Sequence, residues 1–427
     1  MGLVNVELTL EHEEETMKKS WKILGALLAL VFVLAACGNK NDAKSSESAK
    51  ASEESAAQTS QAASDNKAAA GDIKWDDNSL YLITDLGTID DKSFNQGSFE
   101  GLQKFAKEIG VKANYLRPQG QGDQVYLQAI EQAIQKGAKV VVTPGFLFEA
   151  AVGTAQKNHP DVKFIAVDFE PKKVVEGKTN KDGSPVTETY YEKNTSGVMF
   201  KEQESGFLAG YAAVKEGYTK LGFTGGVAVP AVVRYGFGFI AGADYAAKEL
   251  NIPKIEVMYN YTGSFTPKPE IQTLAATWYK KGTEIIFSCG GGICSSVLKA
   301  AQDNKGMMIG VDVDQKDMGE QVLTSAMKNL EGAVYQACKS IAENKFVGGE
   351  TTRLAAKDDG VQLSNDFSRF KKFTEADYKA VYEKIQKNTD DIDKKIPDID
   401  ASLSPTEMGD PTLIMKPFTN VTLNYVK

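Results

Sequence analysis

The sequence predicts an α/β protein with two lobes, each a doubly wound set of helices around its own parallel sheet. The chain has 427 residues, 42% of them hydrophobic, which is enough for a large core and two domains. From residue 79 onward, short apolar runs alternate with stretches of helical period, as in βαβ units. A polar stretch at residues 171–193 interrupts this alternation, which then starts again and so indicates a second lobe.

The first half of the chain supplies four strands separated by helices. Continuous apolar runs are typical of strands that are buried on both faces of a parallel sheet. The predicted strands are residues 80–84, 111–116, 139–143 and 163–167, and the predicted helices are 93–109, 124–135 and 146–157. The polar stretch 171–193 contains glycine and proline and is interpreted as an exposed excursion or hairpin.

The second half repeats the pattern and then becomes mixed. The predicted strands are residues 197–201, 220–224, 254–260, 284–287 and 307–311, and the predicted helices are 202–215, 232–250, 269–281 and 293–304. Beyond residue 321 we predict a strand at 322–326, helices at 332–344 and 375–387, a strand pair at 352–356 and 360–363, and one or two strands within 411–426. This tail is expected to complete both lobes, with several strands crossing between them.

These patterns divide the chain into four parts. They are a leader and signal peptide at 1–36, a lipidated cysteine with a flexible linker at 37–74, a first lobe at 75–195 with part of 310–365, and a second lobe at 196–309 with part of 366–427. The linker is rich in Ser, Ala, Lys and Glu and cannot bury enough apolar surface to fold, although a surface helix is possible in part of it.

The first 36 residues have the features of a leader followed by a secretory signal. Lysines between residues 18 and 22 precede an apolar run that is short for a membrane span and ends in small residues before Cys37. This ending resembles the lipobox of bacterial lipoproteins, which implies cleavage before Cys37 and diacylation of its thiol. A plain signal peptide or an uncleaved anchor is the alternative. Met17 is a better start than Met1, because signal peptides begin with their basic region.

Charge and cysteine content exclude some classes of function. The net charge of −8 is opposite to that of a typical nucleic-acid-binding protein, so no nucleic-acid partner is expected. With two histidines in the chain, one of them in the leader, we expect no metal site and no other cofactor. Cys289, Cys294 and Cys338 are interpreted as buried thiols, with a Cys289–Cys294 disulfide as the alternative.

Three aspartates share one local context. Asp85, Asp168 and Asp312 are each the first polar residue after a buried apolar run. They therefore follow the carboxyl ends of strands, where open α/β sheets bind their ligands. Capping of the next helix explains any one of them equally well. Three such residues favour convergence on one site, where carboxylates are good acceptors for the vicinal hydroxyls of a sugar.

Other candidate residues lie close to these aspartates. Phe94 and Asn95 open the helix after Asp85, and an asparagine both donates and accepts hydrogen bonds. Gly290 and Gly291 belong to a glycine run between a strand and a helix, where the backbone is able to approach a ligand closely. The aspartates at 90 and 91 are interpreted as turn and helix-capping residues. Lys328, taken alone, would pass as a surface lysine.

Several ordered motifs resemble the basic membrane protein family. They are TDLGTIDDKSFNQGSFEGL at 84–102, GFLAGYAA at 206–213, GGVAVPAVVRYGFGFIAG at 225–242, IGVDVDQ at 309–315 and VLTSAMKNL at 322–330. Members of this family are bacterial lipoproteins that serve as substrate-binding components of ABC importers for purine nucleosides. The resemblance implies a periplasmic-binding-protein-like fold, with two α/β lobes joined by crossover strands and a ligand cleft between them. It also implies an ABC permease as partner, a monomer, and a lipid anchor on the extracytoplasmic face of the cell membrane, in a bacterium we expect to be Gram-positive.

The resemblance also implies roles for the candidate residues. The nucleoside base would stack on Phe94, with Phe287 as the second aromatic ring. Hydrogen bonds to the base, or to base and sugar together, would come from Asp85, Asn95 and Asp168. The ribose hydroxyls would be held by Asp312 and Lys328, with backbone contributed by Gly290 and Gly291. The segment 290–294 departs from the family's usual Gly-Gly-Thr-Gly type, and 171–193 is a long insertion, so ligand identity and rim contacts are less determined than the fold.

Two other functions are compatible with parts of the pattern. The segment TDLGTIDD is similar to the aspartate-rich opening of calcium-dependent nucleoside hydrolases, but the aspartate spacing is shifted by one residue. A membrane-tethered nucleoside sensor would share the same binding site, although no output domain is visible in the sequence. Transport by way of a binding protein is therefore the preferred function, and no enzymatic activity is expected.

Overall fold

The computed structural model describes residues 73–180, 183–399 and 405–427. The predicted signal peptide, Cys37 and the linker up to residue 72 lie outside these described residues. Within the described part of the chain, none of the helices has the length and apolar character that a membrane crossing requires.

Strands and helices alternate along most of the chain. In chain order, the strands are β1 (Leu80–Ile83), β2 (Ala113–Leu116), β3 (Val140–Pro144), β4 (Lys163–Val167), β5 (Lys172–Thr179), β6 (Pro185–Thr189), β7 (Thr195–Phe200), β8 (Lys220–Gly225), β9 (Ile255–Tyr261), β10 (Ile285–Cys289), β11 (Met307–Asp312), β12 (Val322–Lys328), β13 (Glu350–Leu354), β14 (Val361–Leu363) and β15 (Val421–Tyr425). The helices are α1 (Phe94–Ile109), α2 (Asp123–Gln135), α3 (Glu149–Asn158), α4 (Glu202–Glu216), α5 (Pro230–Glu249), α6 (Pro269–Lys280), α7 (Ile293–Asn304), α8 (Leu330–Ala342), α9 (Glu375–Gln386) and α10 (Pro405–Met408).

The first lobe is built on a six-stranded parallel sheet with the order β13-β7-β4-β3-β1-β2. Along β1, Leu80 and Leu82 enter one hydrophobic cluster and Tyr81 and Ile83 enter another on the opposite face. Helices cover both faces, which explains why the strand is a continuous apolar run without alternation. The excursion after β4 is an antiparallel hairpin of β5 and β6, as the glycine and proline content predicts.

The second lobe is built on a seven-stranded sheet with the order β14-β12-β11-β10-β8-β9-β15. Neighbouring strands are parallel except at the edge, where β14 runs antiparallel to β12. Helices α4 and α5 pack so closely that a Cβ atom on Gly210 would lie 2.0 Å from the carbonyl oxygen of Phe239. This contact gives a structural reason for the small residues in the GFLAGYAA motif.

The chain crosses between the lobes three times. It passes from β7 in the first sheet to α4 in the second lobe, from β12 to α8, and from β13 to β14. Helix α8 packs closely on α1 of the first lobe. A Cβ atom added to Gly101 of α1 would meet the backbone of Glu331 in α8. The prediction of two doubly wound α/β lobes joined by crossovers is confirmed.

Some predicted boundaries and pairings are wrong. The strand after residue 195 was expected to begin the second lobe, but it pairs with β4 and β13 in the first sheet, where its apolar residues are buried. The predicted pair at 352–356 and 360–363 does not form, because β13 and β14 diverge into different sheets. Within 411–426 only residues 421–425 form a strand, and Pro411–Ile414 is a short 3-10 helix.

Candidate functional site

A cavity lies between the lobes at the carboxyl ends of both sheets. Its walls come from the segments that follow β1, β3 and β4 in one lobe and from β10, β11, β12 and the start of α5 in the other. Eight of the nine residues predicted for the ligand site line it. They are Asp85, Phe94, Asn95, Asp168, Gly290, Gly291, Asp312 and Lys328.

At one end of the cavity, Asn95 and Asp85 form an interlocked pair. The Asn95 Nδ2 group donates to Asp85 Oδ1 at 2.8 Å and to Asp91 Oδ2 at 2.9 Å, and Asn95 Oδ1 accepts from the Asp85 N–H. Both amide hydrogens of Asn95 are therefore committed to protein. Asp85 Oδ1 also accepts from the Gly87 N–H at 2.7 Å, whereas no described residue donates to Asp85 Oδ2. Asn95 therefore orients Asp85, whose second oxygen is left for a donor in the cavity.

Asp91 holds the start of α1 beside this pair. Its carboxylate accepts from the backbone N–H groups of Ser93 at 2.8 Å and Asn95 at 3.0 Å, which satisfies donors at the helix N-terminus. This arrangement agrees with the capping role predicted from sequence. Asp91 also lines the cavity, which the sequence interpretation did not include.

The other end of the cavity is organised by Lys328, the last residue of β12. Its Nζ atom lies 2.5 Å from Asp168 Oδ2 and 3.3 Å from Asp312 Oδ1, and all three side chains are buried. The Ser93 hydroxyl donates to Asp312 Oδ2 at 2.5 Å. Asp168 and Ser93 belong to the first lobe and the other two to the second, so these contacts join the lobes. Lys328 is thus a buried site residue and not a surface lysine.

Both aspartates at this end have a left-handed backbone. Asp168 has φ 66° and Asp312 has φ 67°, a conformation that few residues other than glycine adopt without cost. Aspartate is one of the residues that tolerate it, and residues held in this way cluster at functional sites. Asp168 follows β4 directly and Asp312 is the last residue of β11, and the strained backbone at these positions places both carboxylates at the cavity.

Burial changes the acidity of these groups. Desolvation raises the pKa of Asp85 to about 6, although the bonds from Gly87 and Asn95 oppose the shift. Desolvation also raises the pKa of Asp168, with partial compensation by Lys328. The pKa of Lys328 is raised because the carboxylates of Asp168, Asp312 and Glu202 outweigh its burial.

The aromatic wall differs from the prediction in one residue. Phe94 lines the cavity, with Lys328 Nζ 4.5 Å from its ring centroid. Phe287 does not, because its side chain is fully buried in the second lobe, with ring centroids 5.4 Å from Phe223 and 5.4 Å from Phe239. The aromatic residue that the second lobe contributes from a loop is Phe265. Sequence reasoning missed it because the segment after β9 has no periodic pattern.

The two glycines after β10 have different structural reasons, close packing at Gly290 and backbone conformation at Gly291. A Cβ on Gly290 would lie 2.7 Å from the backbone nitrogen of Gly226, and Gly291 has φ 57°. The cysteines flanking this run are unbonded, so the Cys289–Cys294 disulfide is wrong and the interpretation as buried thiols is correct. Cys338 is also a free, buried thiol.

Two α/β lobes, three crossovers and a cavity between the lobes define a fold of the periplasmic-binding-protein type. A sequence model of the family described as ABC transporter substrate-binding protein PnrA-like matches residues 79–398. The chain therefore belongs to this family of substrate-binding proteins and is not an enzyme, so the nucleoside hydrolase alternative is wrong. An ABC transporter permease and a solute are the partners that this membership implies.

Individual relatives agree with this assignment. The chain is 30% identical to the ABC transporter nucleoside-binding protein BmpA of Lactococcus lactis subsp. cremoris, over 67% of this chain and 81% of that protein. It is 29% identical to basic membrane protein D of Borreliella burgdorferi, over 69% and 81% of the two chains. Among solved structures, an ABC transporter solute-binding protein from Aeropyrum pernix K1 has a TM-score of 0.59 and 21% identity, covering 80% of this chain and 86% of that one. This last similarity supports the fold alone.

Proposed function

We propose that the protein binds nucleosides, preferably purine nucleosides, in the interlobe cavity and delivers them to an ABC permease. The observation that carries this proposal is the interlobe cavity, to which both lobes contribute aromatic rings and acceptor-rich carboxylates. The relative from Lactococcus lactis, named as nucleoside-binding, is consistent with it.

The end of the cavity that contains Asp85 and Asn95 offers the contacts that a nucleobase needs. Asp85 Oδ2 offers an acceptor to an N–H group of a base, and Asn95 fixes the direction of that acceptor. Phe94 and Phe265 provide aromatic surface from opposite lobes, and flat ring systems gain stacking energy on such surfaces. Asn95 is proposed here to contact the base at most through its oxygen, because both its amide hydrogens are already donated.

The end of the cavity that contains Lys328, Asp168 and Asp312 offers the contacts that a ribose needs. Asp168 Oδ1 is buried and has no hydrogen-bond partner among the described residues, so it is available as an acceptor. Asp312 accepts from Ser93 and contacts Lys328, which fixes its carboxylate beside the cavity. The two carboxylates are able to accept hydrogen bonds from vicinal hydroxyls, and the ammonium group between them is able to donate one to a hydroxyl oxygen.

The charge of the cavity favours an uncharged ligand. Asp85, Asp91, Asp168 and Asp312 line it, and Lys328 is the single basic side chain among its described lining residues. A phosphate group would meet this excess of negative charge in a poorly solvated place. We therefore propose nucleosides and not nucleotides as the ligands.

The N-terminal part of the chain completes the proposal. Cleavage before Cys37 and acylation of its thiol would tether the binding lobes to the extracytoplasmic face of the cell membrane. A monomer docking on permease subunits is the proposed working form.

Calorimetric titration of the full-length protein in detergent tests the function. Guanosine, inosine and adenosine are expected to bind in the micromolar range or tighter, and guanosine monophosphate at least about a hundredfold more weakly than guanosine. Cytidine, free guanine and ribose serve as controls for the base and the sugar. Absence of binding to every nucleoside, or equal affinity for guanosine and its monophosphate, would contradict the proposal.

A further inference from the structure

A second charged pair lies beside Lys328, outside the cavity lining. Arg234 Nε lies 2.6 Å from Glu202 Oε2, and the side chains of Arg234 and Glu202 are 2% and 0% exposed. Burying such a pair has a desolvation cost, and well-packed apolar replacements are often equally stable. Stability alone is therefore a weak reason for its presence.

The geometry connects this pair to the ammonium group of Lys328. Glu202 Oε1 lies 3.9 Å from Lys328 Nζ, which is close enough for attraction but too far for a hydrogen bond. An ammonium group has three N–H donors. Lys328 donates one of them to Asp168 and forms an ion pair with Asp312 at 3.3 Å, so at least one N–H is available as long as Glu202 does not approach.

Arg234 bonds to the Glu202 oxygen that does not face Lys328. Glu202 is the first residue of α4, and its Oε1 atom has no hydrogen-bond partner among the described residues. A side-chain rotation that moves this oxygen by about 1 Å would bring it into hydrogen-bond range of Lys328. The short bond from Arg234 to the other oxygen of the same carboxylate opposes this rotation.

We infer that Arg234 is a positioning residue, which restrains Glu202 so that Lys328 keeps one N–H free for a ligand hydroxyl. Without Arg234, the uncompensated Glu202 carboxylate would take that hydrogen and compete with the ligand. This inference rests on the proposed nucleoside function, since the hydroxyl in question is that of a ribose.

Three variants of the full-length protein test the inference by calorimetry with guanosine. Arg234→Met is expected to weaken guanosine binding by about tenfold, because the competing carboxylate remains. Glu202→Gln combined with Arg234→Met is expected to restore affinity to within about threefold of wild type, because the competitor is neutral. The exposed Arg353→Met is the matched control and is expected to leave affinity unchanged.

The outcomes separate positioning from a structural role. If Arg234 acts only through packing, the double variant binds as weakly as Arg234→Met or more weakly, and the inference is overturned. If Arg234→Met does not fold, the comparison of Glu202→Gln with the double variant decides, since equal affinities support the inference and a further loss overturns it. Wild-type protein that binds no nucleoside would overturn the proposed function and this inference together, whereas failed rescue in a protein that binds guanosine overturns the inference alone.

Discussion

At the scale of single residues, the protein loses stability at the interlobe cavity. Asp85 faces it with a pKa raised to about 6 by desolvation, so the folded state holds the proton more tightly than the unfolded state. The stability that this carboxyl contributes is complete below pH ~4 and is lost as the pH rises through about 6. At neutral pH the ionised Asp85 therefore destabilises the protein, which is typical of groups retained for binding.

Replacement of Asp85 by asparagine removes this ionisation and keeps the shape of the side chain. We expect Asp85→Asn without ligand to melt at a higher temperature than wild type at pH 7.5, with the difference shrinking toward pH 4. The same variant should bind guanosine more weakly, because its amide no longer offers two acceptor oxygens. Asp77→Asn, in an exposed carboxylate paired with Lys112, is the control and should give no gain. An unchanged melting temperature for Asp85→Asn at both pH values would contradict this account of burial.

Phe94 and Phe287 provide a matched contrast between a cavity residue and a core residue. Phe94→Ala is expected to weaken guanosine binding by at least about tenfold, through lost stacking, with little change in melting temperature. Phe287→Ala is expected to lower the free energy of unfolding by about 3–5 kcal/mol, because it empties space between Phe223 and Phe239. Urea denaturation and calorimetry on both variants measure these effects. Similar stability losses in the two would show that the assignment of their roles is wrong.

At the scale of elements, the sequence predicts what depends on local pattern. Strands β1, β3 and β4 are continuous apolar runs between amphipathic helices, and the structure has them close to the predicted positions. The sheet to which β7 and β13 belong depends on pairing between residues that are far apart in sequence, which periodicity does not encode. Local pattern limits the prediction of the site in the same way. Asp85, Asp168 and Asp312 are predicted because they stand at the ends of apolar strands, whereas Phe265 lies in an irregular loop that has no such pattern.

The contact between α4 and α5 is sensitive to one added methyl group. Gly210→Ala would place its Cβ 2.0 Å from the Phe239 carbonyl oxygen, so the helices would have to separate. We expect a loss of about 1–3 kcal/mol in the free energy of unfolding, measured by urea denaturation. Gly120→Ala, where the nearest atom is 3.9 Å from the added Cβ, is the control and should be nearly neutral. A neutral Gly210→Ala would contradict the close packing of these helices.

At the scale of the whole molecule, the structure has its lobes in direct contact. Among the described residues, three hydrogen bonds cross the cleft, from Ser93 to Asp312 at 2.5 Å, from Gln315 Nε2 to the Lys92 carbonyl at 2.8 Å, and from Lys328 to Asp168. A ligand shifts such an equilibrium only by its preference for the closed arrangement, and protein–protein bonds across the cleft add to that preference. These protein–protein bonds would stabilise a closed arrangement of the lobes without any contribution from a ligand.

Removal of one ligand-independent bond should weaken closure without touching the proposed ligand contacts of Asp85 or Phe94. Ser93→Ala deletes the hydroxyl that reaches Asp312, and we expect guanosine affinity to fall by about three- to tenfold, in line with the value of one buried hydrogen bond. The loss should appear mainly as faster dissociation in stopped-flow experiments, because the open form still admits the ligand. Small-angle scattering should show a larger radius of gyration for the ligand-free variant than for wild type. Ser295→Ala is the matched control, because the Ser295 hydroxyl donates to the Gly292 carbonyl at the start of its own helix, α7. If Ser93→Ala and Ser295→Ala have the same affinity and the same radius of gyration, the Ser93–Asp312 bond does not contribute to closure.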